Sequence, residues 1–257
     1  MTPVISTTEI VRIRRDTDAA AIAGQVYDDL LSLLLVLEPH EWDLATECAP
    51  WTVADITRHL IGAGKGHASL REQMRQFRHG AKHARAFDGS LLDATNDLQV
   101  RDHAHLRGAE LVREIDSIRS GAVDGRMSRP AFIRILSVPN DTGGSTPKGT
   151  GRRIKLGHLF DTILTRDVWL HRIDICRATR RTPSFGAHDR RIVEDVIAAW
   201  AGRLARGFDL TILTPFAGRY VSQGGGEVLD CDGVELCRVL SGRARHPSSL
   251  FDTKVLF

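Results

Sequence analysis

The segment Leu156 to Thr179 constrains this chain more than any other, because it has the length and spacing of a helix yet carries charged groups where core residues belong. At about 100° per residue, Phe160, Leu164, Ile175 and Ala178 form one stripe, and Asp167, His171 and Asp174 fall inside it. Arg166, Trp169 and Arg172 point away from that stripe, so the polar groups are not simply the solvent face of an amphipathic helix. Burying an ionised carboxylate costs several kcal/mol unless a cation or good hydrogen bonds compensate. An Asp and a His four residues apart point the same way, and a divalent metal ion offsets the cost directly.

A third ligand is available upstream. Thr52 precedes a helical pattern with Asp55 three residues on, a capping-box arrangement, and Trp51 is placed for a staple contact. The predicted helix runs to about Phe77 and carries His59 on a face shared with Ile56, Leu60 and Ala63. One histidine on an apolar face is more often a hydrogen-bonded core residue, and an Asp-x-x-x-His pair alone is more often an intrahelical ion pair. Together they make a two-histidine, one-carboxylate set from facing helices of a bundle, with open positions for water or substrate. Spacing alone leaves these alternatives open.

The rest of the chain sets the frame. Its 257 residues are 42% hydrophobic and 26% charged, the balance of a globular protein with room for one large core or two domains. The 35 Lys plus Arg against 32 Asp plus Glu leave a net charge of +3, too small to imply a nucleic-acid or membrane surface. The longest apolar run, Leu30 to Leu37, is far short of a bilayer span and the N-terminus shows no secretory pattern, so a cytoplasmic protein is expected. Cys48, Cys176, Cys231 and Cys237 form no CxxC pair and read as reduced packing thiols.

Helices are expected over Asp16 to Leu37, Asp88 to Ala104 and Arg107 to Ser120. Asn140 to Gly157 reads as a long basic loop, a mobile segment that could serve as a lid. Beyond Pro183 the texture is mixed: a helix from about Asp189 to Arg206, strands at Leu210 to Thr214 and Arg219 to Ser222, and a helix from Val234 to Ser241. The expectation is a mainly α protein, with a helical bundle over residues 1–181 and a small α/β domain over residues 182–257.

Two stretches carry a family resemblance. Glu47-Cys-Ala-Pro-Trp-Thr-Val-Ala-Asp-Ile-Thr-Arg-His-Leu-Ile-Gly62 and Gly157-His-Leu-Phe-Asp-Thr-Ile-Leu-Thr-Arg-Asp-Val-Trp-Leu-His-Arg-Ile-Asp174 resemble the mycothiol-dependent maleylpyruvate isomerase family, whose members belong to the DinB-like metal-binding four-helix bundles. Asp93 to Val100 and Leu236 to Arg243 are also similar to family segments. The resemblance implies one divalent metal, zinc first with nickel or manganese as alternatives, on the positions of His59, Asp167 and His171. The isomerase itself has Glu where this chain has Asp167, one methylene shorter. It further implies a low-molecular-weight thiol cofactor, mycothiol or similar, acting on a small electrophilic substrate; with the low net charge and short apolar runs, neither nucleic acid nor membrane is expected as partner, and monomer and homodimer both stay open.

The metal would favour the thiolate, which attacks an electrophilic carbon as an isomerase or a thiol S-transferase. The alternative is a non-catalytic metal- or ligand-binding bundle with a regulatory role. Arg243 matches an arginine that faces the acidic substrate and is the catalytic candidate, and Asn96 is the cofactor-binding candidate; Asp174 is placed to orient a ligand histidine or to pair with an arginine. His79, His83, His103 and His105 sit among charged residues and read as solvated.

Overall fold

The computed structural model describes residues 4–139 and 153–257. They divide into two compact units, Asp18–Pro183 and Ser184–Phe257 with the N-terminal residues up to Thr17. In chain order the elements begin with β1 (Val4–Ser6), α1 (Ala19–Leu34), α2 (Val53–Ala68), α3 (Leu70–His83), α4 (Leu91–Asp102) and α5 (Ala109–Met127). A short α6 (Ala131–Arg134) leads to the strand pair β2 (Ser137–Pro139) and β3 (Arg153–Lys155), then α7 (Leu156–His158), a π-helical turn Leu159–Ile163 and α8 (Leu164–Thr179). The last elements are α9 (Ala187–Ala201), β4 (Phe208–Ile212), β5 (Gly218–Ser222), β6 (Glu227–Cys231) and α10 (Gly233–Ser241). No described helix is long and apolar enough to cross a membrane.

The first of these units is a four-helix bundle in which α1 packs on α5, α5 on α2, α2 on α8 and α8 back on α1. Its interior is apolar at the expected spacing, with Ile22, Val26 and Leu30 of α1, Ile56 and Leu60 of α2, and Leu111 and Ile115 of α5 all buried. The helix expected to run from Thr52 to Phe77 is two helices. Ser69 takes an extended backbone, ends α2 and caps α3 by accepting the Glu72 N–H at 3.3 Å. Of the predicted basic loop, the part before Arg153 lies outside the described residues, and its last residues form β3 and open α7.

Glycine sets the interhelical spacing. A Cβ on Gly62 would lie 2.6 Å from the Gln99 Cβ of α4, and one on Gly125 of α5 would lie 2.5 Å from the His67 carbonyl oxygen of α2. Both contacts are closer than any side chain permits, so α2 touches α4 and α5 nearly backbone to backbone. Gly125→Ala is therefore expected to destabilise the protein by about 1–3 kcal/mol, as overpacking does, although alanine alone favours a helix by about 1 kcal/mol. Urea unfolding measures the change, and a variant as stable as the wild type would contradict this packing.

Arg166, Trp169 and Arg172, expected to point away from the core, are buried as well, with 0, 0 and 3% exposure. The cause is the position of α8, which is covered by more than one bundle neighbour. Arg172 compensates its burial by pairing with Asp29 of α1.

The second unit holds a four-stranded sheet in the order β1-β5-β4-β6, with β4 antiparallel to β5 and parallel to β6, and β1 parallel to β5. Trp200 of α9 stacks between Phe208 at 4.6 Å and Phe251 at 4.8 Å. A bundle over residues 1–181 is the sequence expectation, but the described residues 4–17 group with this unit. The physical reason is β1 pairing with β5, reinforced by the fully buried Asp195, which accepts from the Arg12 side chain and from the Ile13 N–H at 3.0 Å.

Candidate metal centre

His59 sits two turns into α2, whose start is fixed by the predicted capping box: Thr52 Oγ1 accepts the Asp55 N–H at 3.2 Å, and the Asp55 carboxylate accepts the Thr52 N–H at 3.1 Å. Asp167 and His171 lie four apart on α8, one turn, and face the same way. The side-chain ligand atoms of His59, Asp167 and His171 all lie within 4.8 Å of one another. The Asp167 carboxylate stands between the two rings, one oxygen 3.5 Å from His59 Nε2 and the other 3.5 Å from His171 Nε2.

These separations are too long for strong hydrogen bonds. They fit ligands of one ion, because two donors each about 2.1 Å from a tetrahedral metal stand roughly 3.4 Å apart. The shorter aspartate thus reaches both histidines. Both rings are closed off, at 6 and 7% side-chain exposure, while Asp167 keeps 27%, so the cluster opens on the carboxylate side.

The other nitrogen of His171 is held by Asp174, with Nδ1 3.0 Å from Oδ2. Asp174 is fully buried, and the Cys48 thiol donates to the same oxygen at 3.2 Å. A histidine fixed in this way presents Nε2 as its donor to a metal. Burial would push the His171 pKa down, but the Asp167 charge and the Asp174 and Cys48 hydrogen bonds overcome it and bring the pKa up to about 10. The pocket thus holds a positive charge firmly beside Asp167, as a proton when no metal is there. His59 Nδ1 is buried and has no hydrogen-bond partner among the described residues. Its ring is packed instead against the Trp51 ring at 5.0 Å, with Trp51 6.2 Å from the His171 ring.

Sequence reasoning missed the parts played by Cys48 and Trp51, read as a packing thiol and a staple residue. Their only signal was their place in the segment before the α2 cap. Asp174, buried and 3.0 Å from His171 Nδ1, stands where it can orient that ring. Asn96 is half-buried on α4 and makes no side-chain hydrogen bond among the described residues, so the structure does not join it to the cluster. Arg243 belongs to the other unit, half-buried just after Gly242, the residue that ends α10. His79 and His83 stack on each other at 4.0 Å. His103, expected to be solvated, is buried with Nδ1 2.8 Å from the Gln99 carbonyl oxygen.

The family model described as the mycothiol maleylpyruvate isomerase N-terminal domain matches residues 23–176. A crystal structure of the mycothiol-dependent maleylpyruvate isomerase is similar in fold at a TM-score of 0.54 and 14% identity, covering 88% of this chain and 89% of that one. A histidine-to-alanine mutant of the same enzyme is similar at a TM-score of 0.53, with the same 14% identity and coverage of 88% and 89%. No curated protein sequence matches. Because the matched span covers more than half of the chain and contains His59, Asp167 and His171, the protein belongs to the mycothiol maleylpyruvate isomerase family.

Proposed function

We propose that this protein is a metal-dependent enzyme that uses a low-molecular-weight thiol, mycothiol or a close equivalent, to isomerise a small unsaturated acid. What supports the reading is the convergence of His59, Asp167 and His171 in a chain of this family. A divalent ion, zinc first, would supply the positive charge that lowers the pKa of a bound thiol into the neutral range. The two imidazoles would hold it as neutral donors and Asp167 as the anionic one. Asp174 would keep His171 in the tautomer that presents Nε2.

The chemistry asked of the site is reversible thiol addition. The thiolate adds to a conjugated double bond, the resulting single bond rotates, and elimination restores the double bond and returns the thiol. Release of the adduct would make the same site a thiol S-transferase. Arg243, as a contact to an acidic substrate, and Asn96, toward the cofactor, enter this proposal on the family resemblance alone.

The test is turnover of maleylpyruvate by zinc-loaded protein with and without mycothiol, followed by chromatography. The reading predicts cis-to-trans conversion only when the thiol is present, and loss of that conversion after chelation. A thioether product would move the assignment to a transferase. Absence of any thiol-dependent reaction would reject the enzyme and favour a binding role.

A further inference from the structure

Arg126 of α5 is 1% exposed, and the capping, metal and thiol roles above make no use of it. Its Nη2 donates to the Thr165 hydroxyl at 2.8 Å. Its Nε and Nη1 are buried without a hydrogen-bond partner among the described residues. A guanidinium cannot shed its charge as a lysine can, so a buried arginine with two open nitrogens is out of balance until an anion joins it.

The carboxylates that Arg126 feels are already committed. Asp161 pairs with Arg134. Asp167 stands between His59 and His171. On the α1 side, Tyr27 is 2% exposed and makes no hydrogen bond among the described residues, and both Arg126 and Asp167 act on it electrostatically. His67 of α2, which burial and the Arg126 charge hold neutral with a pKa pushed down to about 3, supplies no counter-charge. Arg126 follows Gly125, where α5 approaches α2 so closely that a Cβ would lie 2.5 Å from the His67 carbonyl oxygen.

We propose that Arg126 anchors a carboxylate of the small-molecule substrate, received inside the bundle between its open guanidinium nitrogens and the Tyr27 hydroxyl, beside the metal cluster. Arginine suits this task because it can meet a carboxylate with more than one N–H at once. The inference rests on the proposed function and adds a recognition element to it: a carboxylate of the acid substrate is read by Arg126 within the bundle itself. Neutral analogues of the same shape should be poor ligands.

The test uses succinate, an unreactive dicarboxylate, and its uncharged counterpart succinamide, titrated by calorimetry into zinc-loaded and chelator-treated full-length protein. Wild type is expected to bind succinate, Arg126→Met to bind it at least about tenfold more weakly, as loss of a charged hydrogen-bond partner implies, and Arg126→Lys to fall between them. Succinamide should bind weakly to all three. Without ligand, Arg126→Met should melt no lower than wild type, since it removes an uncompensated charge, and succinate should raise the melting temperature of wild type most, of Arg126→Lys less and of Arg126→Met least. A purely structural arginine would give the opposite: a lower melting temperature and no change in succinate affinity. Succinate affinity unchanged in either folded variant, or absent from wild type, overturns the proposal. Zinc content measured in the same samples tests the metal assignment separately, because Arg126-dependent succinate binding by a protein that takes up no added zinc would uphold the anchor while rejecting the metal.

Discussion

Asp167→Asn is expected to lower zinc affinity by at least about a hundredfold, since even residues that only support a metal ligand are typically worth 10–100-fold. Asp167 is the one carboxylate in the set, and its two oxygens face the two histidines at 3.5 Å. The amide has the same shape, so the packing around it survives, and with 27% exposure the position tolerates the change. What disappears is the negative charge and one of the two acceptor oxygens. Competition against a chromophoric chelator measures the affinity. A variant that binds zinc as tightly as wild type would remove Asp167 from the ligand set.

The second large effect is a pH dependence in the metal-free protein. His171 has its pKa raised from 6.5 to about 10, against the pull of burial, by the Asp167 charge and by hydrogen bonds to Asp174 and Cys48. The folded state therefore holds a proton that the unfolded chain releases near its ordinary pKa. Stability from this group is fully present below pH 6.5 and is lost as the pH rises through about 10. At 1.36 kcal/mol per unit, the loss is on the order of several kcal/mol.

Urea unfolding of chelator-treated protein at pH 6 and pH 10 should show this loss. His171→Gln should flatten the difference, and Asp167→Asn should reduce it by removing the charge that most strongly holds the proton. Zinc must displace the Nε2 proton, so its affinity should climb over the same range. A stability difference that His171→Gln leaves unchanged would contradict the electrostatics of the cluster.

Much of this site could be read from spacing. The Thr52 and Asp55 cap, the i,i+4 relation of Asp167 and His171, and the facing position of His59 are local patterns, and local geometry is what a helical sequence encodes. The family resemblance then narrowed which of several polar arrangements they form. The burial of Arg166 and Arg172 escaped a helical-wheel argument because a wheel assigns one inward face, whereas α8 is covered on several sides. Arg126 escaped for a related reason: its burial is a tertiary fact of how α5 packs in the bundle, which no local pattern around it announces.

The break at Ser69 was hidden because both flanking segments keep helical periodicity, and only the backbone at the cap separates them. In the second unit, β6 follows a glycine-rich turn and buries only Leu229 and Cys231, too short an alternation to stand out. The pairing of β1 with β5 joins residues more than 200 positions apart, and no local pattern announces such a contact.

The most direct test of the central claim is metal analysis by plasma mass spectrometry on protein purified without a histidine tag, comparing wild type with His59→Ala and His171→Ala. The account predicts close to one divalent metal per wild-type chain and its loss from both variants. A wild-type protein that stays metal-free after addition of zinc, nickel or manganese, or variants that retain the wild-type content, would contradict it.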